Sequence, residues 1–546
     1  MTVNSASAAK KPVAIVGAGP IGLMTALGLI RYGVPVVVFE EDDALSLDTK
    51  AGTILTRTLE VLDRYDALAD VLTAAVRIDE IGELDRVTGK STGSVLTGAL
   101  VEDTRFPFVI NIPQHELEPV LSARLEELAP GTVRMQHRLD SFEQKPDGVV
   151  LHLDGPDGPV DFEASRLLAC DGGRSRVREQ LGIRVEGKTL EQRYMLIDLK
   201  VDLDVANPRQ YPYLAYFGDP QEWMILVRQP HCWRFLYPLA PGADEPGTEE
   251  LVAKARRFIG DVSELEVLGT NIYPVHQRVA DSWRNGRVFL MGDAAHLITP
   301  MWALGLNTGA LDASNLPWRL AWVERGWAEE SLLDGYETEQ SPVAVLGSGQ
   351  MAEAARAVMD RRSNATEGMG AGGWGDAFTR TLLGVSLDVD GTGDWSMVRQ
   401  GSVPLPVRPG DRVPDLPVVT PRGPKPLHRL AADSFHALHF TDARRHPKLP
   451  LAAPDGLRHV VVSRWDAPHD SGLRDHAWFD PGDRIRRRFG LEQDTVVLLR
   501  PDGHVAAMVP WREDVAATID GLYLDLVGRP VVSAAPEQDL AEGARS

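Results

Sequence analysis

"VAIVGAGPIGLM", residues 13–24, decides how the rest of the chain is read. A β-rich apolar run leads into Gly17-x-Gly19-x-x-Gly22, helix-forming residues follow over 23–32, and a second β-branched run, 34–39, ends at Glu40 and Glu41. Strand, glycine turn, helix and strand make a βαβ unit, which predicts an α/β fold with a Rossmann-like dinucleotide-binding domain. Glycines at these positions let main-chain amides approach a pyrophosphate at the N-terminus of the helix that carries Pro20 and Ile21. Glu40 stands about 20 residues downstream, where a carboxylate meets an adenosine ribose. The spacing alone serves NAD and FAD equally, and a tight ligand-free turn has the same pattern.

With 546 residues the chain exceeds what one hydrophobic core organises, so two or three domains are expected. The formal charge of -21 argues against nucleic-acid and anionic-membrane partners, which need clustered Lys and Arg. Cys170 and Cys232 are the only cysteines, which excludes a disulfide framework, a cysteine zinc site and dithiol redox chemistry; no metal site is expected. The uncharged stretch 13–30 is cut by glycines and Pro20, so it reads as strand, turn and helix rather than a membrane span. An untargeted, cytoplasmic protein with a polar N-terminal arm is expected.

Two later segments carry related chemistry. "GRVFLMGDAAH", residues 286–296, is a buried strand ending in Gly-Asp, and "GLNTGALDASNLPWRLA" places Gly305, Leu306 and Asn307 at the start of a helix expected from about 307 to 324, bent at Pro317. Free amides at such a helix start suit electron-rich flavin carbonyls, and Asp293 suits a ribityl hydroxyl. "CDGGRSRVRE", residues 170–179, sets Asp171 and a glycine pair at another strand end, followed by Arg174, Arg176 and Arg178. Between them, residues 192–238 read as aromatic-rich strands of a separate sheet, with "GDPQ" as a turn. Residues 325–400 look helical around the interruption "GMGAGGWG", and a Pro/Gly linker then leads into a further β/α segment.

Taken together, the three segments resemble the single-component FAD-dependent aromatic hydroxylases, the group of para-hydroxybenzoate hydroxylase and phenol hydroxylase, over residues 12–345. The resemblance implies that Gly17, Gly19, Pro20, Ile21, Gly22 and Glu40 hold the ADP part of FAD, that Asp171 lies between flavin and nicotinamide, and that Asp293, Gly305, Leu306 and Asn307 serve the ribityl chain and flavin. In "KAGTIL", Lys50 stands where the family more often has Arg, as a flavin-side contact or a plain surface lysine; in "NIPQHELEPVL", Gln114 reads as an amide near the flavin or a helix cap. The implied cycle is hydride transfer from transiently bound NADPH or NADH to FAD, reaction with O2 to a flavin hydroperoxide, and oxygen delivery to a small phenolic substrate.

A phenol reacts best as phenolate, so a group that shares its proton and a dry pocket are required. In "YLAYFGDPQEWMILVRQ" the order tyrosine, turn, arginine resembles para-hydroxybenzoate hydroxylase, with room for a one-residue slip; Tyr216 becomes a candidate partner of the phenol oxygen and Arg228 of a carboxylate or other acceptor. Equally, they read as a core aromatic and a solvated strand charge. Tyr194, His231, Tyr237 and His276 are secondary candidates, and His296 is expected to order its loop. "LITPMWAL" keeps Pro300 of the catalytic loop but has Trp302 and Ala303 where glycines are common, so glycine's freedom is lost there and Trp302 is expected to line the substrate pocket. From about Val407 the chain resembles the thioredoxin-like domain of the phenol-hydroxylase branch, without a cysteine to act as one, which leaves packing or a homodimer contact as its job.

The expected division is therefore an FAD-binding domain over 12–190 and 270–400, an interleaved β-sheet substrate domain over 191–269, and a thioredoxin-like domain over 401–546. Two rival readings remain: a reductase or dehydrogenase on the same scaffold without oxygen insertion, and an FAD-bound interaction module without turnover.

Overall fold

In the computed structural model, the strand Val13–Val16 is central to a six-stranded sheet whose neighbours are Arg166–Ala169 on one side and Val36–Phe39 on the other, both parallel to it. The structure describes residues 10–47, 52–203, 211–219, 222–260, 262, 264–359, 407–441, 453–464 and 476–529; the N-terminal arm through residue 9, the "GMGAGGWG" segment and the start of the linker lie outside them. Every residue of Val13–Val16 and Val36–Phe39 is buried, as a parallel strand covered on both faces requires. Burying each Val or Ile side chain contributes on the order of 2 kcal/mol.

Helices Pro20–Arg31 and Leu304–Glu324 pack together against this sheet. The second begins at Leu304, three residues earlier than the sequence pattern suggests, and runs on through Pro317 to Glu324. Proline removes the amide that would bond the Ala313 carbonyl. The hydroxyl of Tyr65 donates to that carbonyl at 2.8 Å, so the freed acceptor is satisfied.

The aromatic sheet is larger than residues 191–269. Among the described residues it has eight strands, including Val185–Lys200 and Glu266–Ala280 at one side and the hairpin Glu80–Asp85 with Ser91–Leu96 at the other. The hairpin escaped the sequence reading because its only large apolar residues, Ile81, Leu84, Val95 and Leu96, follow no alternating pattern. Strand period two divides the sheet into two faces. Met195, Ile197, Phe217, Leu226 and Phe235 pack toward helix Thr248–Ile259, while Leu196, Leu214, Tyr216, Ile225, Val227 and Leu236 belong to the cluster that also holds Met301, Trp302 and Leu304.

A seven-stranded sheet fills the described part of 407–529 and joins the same core. Trp318 and Trp322 meet Phe435 edge to face at 5.4 and 5.9 Å. Buried charges close the junction: Arg57 and Arg64 each donate to the Asp502 carbonyl at 2.8 Å, Trp318 donates to the Asp502 carboxylate at 3.0 Å, and Arg500 pairs with Glu339 at 2.7 Å. Glu60, Asp415 and His428 lie close enough to suggest a metal cluster, but Glu60 already accepts from Arg57, Arg412 and Thr104, so the trio is part of the ionic network. Burial alone would raise the Glu60 pKa; the charges of Arg412, His428 and Arg57 hold it well below the usual carboxylate range. Among the described residues no helix is long and apolar enough to cross a membrane.

Candidate active site

The chain leaves strand Val13–Val16 through Gly17 at φ 101°, a left-handed conformation only glycine adopts without strain. A Cβ there would strike the Cys170 carbonyl, and one on Gly22 would strike the carbonyl of Gly17. The turn thus folds tightly against the end of strand Arg166–Ala169. Gly19 caps helix Pro20–Arg31 in extended conformation, with no side-chain cap and no acidic residue in the first turn. Its first amides are therefore free for an anion. Gly19, Pro20 and Ile21 line a cavity of about 390 Å³. Glu40 accepts from the Ala18 amide at 2.7 Å and the Asp42 amide at 3.3 Å, bracing the turn from behind; a ribose contact would share that carboxylate.

The Gly-Asp loop forms the neighbouring wall. Asp293 is exposed into the cavity, while the Gly292 amide donates to the buried carboxylate of Asp312 at 2.8 Å, and His296 Nε2 lies 2.9 Å from the same oxygen. His296 orders this loop, as its position suggested. Arg178 ties it to the third motif by donating to the carbonyls of Ala294 and Gly173, both at 2.8 Å. Asp171 is not on the cavity wall: it accepts from the Val177 amide at 3.2 Å, and burial raises its pKa, while Cys170, Gly172 and Gly173 around it do the lining.

Two expectations at residues 302–307 are corrected. Trp302 and Ala303 both take φ 57°, so the left-handed turn survives without glycine, at a cost of order 1 kcal/mol each. Trp302 is 1% exposed and packs into the sheet's inner core instead of lining the pocket; Pro300, Ala303, Gly305 and Leu306 line it. The Asn307 side chain is fully committed elsewhere, accepting from Leu55 N at 2.9 Å and Thr58 Oγ1 at 2.7 Å and donating to the carbonyls of Thr53 and Ala303. It anchors the helix start.

The aromatic sheet supplies the remaining wall. Tyr216 faces the cavity, buried, and receives a backbone hydrogen bond from Trp302; burial pushes its phenol well above the usual range, so it stands as a neutral hydroxyl. Arg228 does not face it. On strand Met224–Arg228 the cavity side belongs to Ile225 and Val227, so residue 228 points the other way and donates to the carbonyls of Gln229 and, at 3.2 Å, Cys232. Among the described residues the cation on the cavity wall is Arg234, with Gln229 and Tyr273 also lining it. Gln114 also lines the cavity, donating to Glu118 at 2.8 Å. Lys50 lies outside the described residues.

The sequence family described as FAD binding domain matches residues 10–346, well over half of the chain. The chain belongs to the family of FAD-dependent aromatic hydroxylases. Para-nitrophenol 4-monooxygenase of Pseudomonas sp. (strain WBC-3) is 31% identical to it over 337 residues, 61% of this chain and 83% of that protein. A 12-dehydrotetracycline 5-monooxygenase/anhydrotetracycline 6-monooxygenase of Streptomyces rimosus is 30% identical over 543 residues, 93% of this chain and 97% of that one. The crystal structure of a ternary complex of aklavinone-11 hydroxylase with FAD and aklavinone matches with a TM-score of 0.77 at 26% identity, covering 95% of this chain and 99% of that chain.

Within this hydroxylase, the secondary candidates stand apart from the cavity wall. Tyr194 packs edge-on against Trp223 at 5.0 Å, Tyr237 lies on the far face of the sheet, the His231 side chain is 78% exposed, and His276 Nδ1 lies 2.9 Å from Thr189 Oγ1. Sequence reasoning missed Gly52, Gln229, Arg234 and Tyr273. A Cβ on Gly52 would collide with the Gln229 amide, so this glycine makes room for a side chain rather than for a turn. Strand parity was the available signal: with Tyr216 inward, residues 225, 227, 234 and 236 follow from the pairing of Tyr216 with Ile225 and of Ile225 with Leu236.

Proposed function

We propose that this hydroxylase is a FAD-dependent monooxygenase that hydroxylates a phenolic aromatic substrate, using O2 and electrons from NADPH or NADH. The observation that carries the reading is one cavity bounded by the glycine turn, the Gly-Asp loop, the start of helix Leu304–Glu324 and the Tyr216 face of the aromatic sheet. FAD fits this donor set. The cradle at Gly17 and Gly22 admits no side chain, helix Pro20–Arg31 offers uncapped amides to a pyrophosphate, Asp293 can accept from a ribityl hydroxyl, and a second helix start presents Gly305 and Leu306 toward an electron-rich ring edge.

Bound FAD would supply the redox chemistry, taking two electrons from reduced nicotinamide and activating O2 toward an electron-rich ring. The chain's own residues do the rest. Leu196, Leu214, Ile225, Val227 and Leu236 keep the substrate side apolar, which limits water and the wasteful release of hydrogen peroxide. Tyr216, held by the Trp302 backbone and kept neutral by burial, can hydrogen-bond the substrate's phenol oxygen and stabilise it as its proton is lost. Oxygen insertion is favoured over a reductase or dehydrogenase role by relatives named as monooxygenases.

We assign residues 12–190 and 270–400 to the FAD-binding domain, 191–269 to the core of the substrate sheet, and 401–546 to a thioredoxin-like domain. The last reading is supported by strand Phe435–Phe440, which pairs in parallel with Leu457–Ser463 on one side and antiparallel with Thr495–Leu499 on the other. Without a cysteine after Cys232 its role is packing against the first domain. The test is a screen of phenols for stimulated NADPH or NADH consumption by the FAD-loaded protein, with mass analysis for one added oxygen. Consumption without hydroxylated product from every phenol would remove the reading.

A further inference from the structure

Arg234 is directly opposite Asp198 on the neighbouring strand, and the two are joined by parallel hydrogen bonds: Nε to Oδ1 at 2.9 Å and Nη2 to Oδ2 at 3.0 Å. Both residues are 5% exposed. The pair is electrically neutral as a unit, and the bidentate contact uses the Nε–Nη2 edge, leaving Nη1 and the second Nη2 hydrogen as the guanidinium's remaining donors. Nη1 lies 3.3 Å from where a Cβ on Gly52 would stand, next to the amide of Gln229. Gln229 is 1% exposed and lines the cavity; its Nε2 leans on the Gly52 carbonyl at 3.4 Å, and its Oε1 is buried with no hydrogen-bond partner. A buried acceptor left without a donor is costly, so a ligand that supplies the donor gains affinity.

From this corner we infer the substrate class, resting on the hydroxylase reading above: Gln229 Oε1 and Arg234 Nη1 recognise a neighbouring donor and acceptor on an uncharged aromatic, such as a hydroxyl beside a carbonyl, and disfavour a carboxylate. An arginine meant for a carboxylate offers it two parallel bonds and an unspent charge. Here Asp198 takes the Nε–Nη2 edge and already balances the charge. A second carboxylate would arrive at a buried, already compensated pair and lose its hydration without full return. The corner grips the part of the substrate remote from the phenol oxygen: Arg234 and Tyr216 stand two strands and one same-face step apart, about 12 Å between backbones by ordinary sheet spacings.

Matched isosteres with the hydroxyl remote from the group under test decide this on the FAD-loaded protein: 4-hydroxybenzamide against 4-hydroxybenzoate, and 6-hydroxy-2-naphthamide against 6-hydroxy-2-naphthoate, with Kd read from the change in flavin visible absorbance. The amides are expected to bind at least about tenfold more tightly, a difference of one well-formed buried interaction. Asp198→Asn, which frees the arginine charge, should shrink that ratio or reverse it. Gln229→Leu should weaken amide binding about fivefold while moving the carboxylates less, which keeps the assignment testable where Asp198→Asn does not fold. Equal affinity for amides and carboxylates in the unaltered protein, or an unchanged ratio in a folded Asp198→Asn, overturns the assignment and leaves the hydroxylase reading standing. Should no phenol of either kind perturb the bound flavin, the hydroxylase reading is what fails.

Discussion

In the turn at residues 17–22 the ligand-facing groups are main-chain amides, whereas on the sheet opposite they are side chains selected by strand parity. The first kind of site is set by where a Cβ cannot be: Gly17 and Gly22 have no room for one, and the helix start follows from that. The second kind turns on counting. Tyr216 and Arg234 face the cavity and Arg228 does not, although all three lie on adjacent strands of one sheet. A glycine turn tolerates no substitution and little misreading; a strand tolerates many residues, but shifting its reading by one reverses every assignment.

Breaking the first half of this contrast should have the largest effect. Gly17→Val places a branched side chain at φ 101° against the Cys170 carbonyl; with a few kcal/mol of strain, FAD affinity should fall at least about a hundredfold, measured by fluorescence titration of the folded apoprotein. Undiminished binding would mean that the turn is not the cradle. Parity is sharpened by a pair of variants. Tyr216→Phe should lower kcat/KM for the best phenol by about a hundredfold, while Arg228→Gln should leave it within about twofold and cost about 1 kcal/mol of stability through the turn carbonyls it holds. Equal losses in both would erase the distinction between the two faces.

The junction with residues 407–529 gives a pH signature. Burial holds His428 down at about 4, and Glu339, which burial alone would raise, is brought to about 2 by Arg319 and Arg500. On unfolding, each returns toward its ordinary value of 6.5 or 4.5 and takes up a proton over the interval between. Their contribution to stability is therefore complete above pH 6.5, declines toward 4 for the histidine, and declines again from 4.5 toward 2 for the glutamate. Thermal melting should fall stepwise on acidification across those windows; a melt that rises as pH drops through 6 contradicts the network. The smallest effect is expected at Ala303→Gly, which keeps the left-handed turn and removes its strain, raising stability by about 1 kcal/mol in a denaturant titration.

These contrasts also account for what could be read from the chain. The βαβ unit, the Gly-Asp loop and the helix after it were legible because local spacing specifies them, and the resemblance to aromatic hydroxylases is borne out by the family match over residues 10–346. Trp302 was placed wrongly because tertiary packing turns its side chain into the core, and the side chains of Asn307 and Asp171, at the right points of the chain, are taken up by contacts that local spacing does not announce. Gly52, Gln229 and Arg234 come together from distant segments, so no local motif announces them. The hairpin Glu80–Asp85 and Ser91–Leu96 was hidden because its few apolar residues do not alternate.

The central claim is that one cavity holds FAD beside a phenolic ring and that oxygen passes to the ring. Single turnover of the FAD-loaded protein with NADPH or NADH, a binding phenol and isotopically labelled O2, followed by mass spectrometry, tests it directly. The account predicts a hydroxylated product carrying one labelled oxygen atom. A phenol recovered unchanged, with the reducing equivalents ending in hydrogen peroxide, would contradict it.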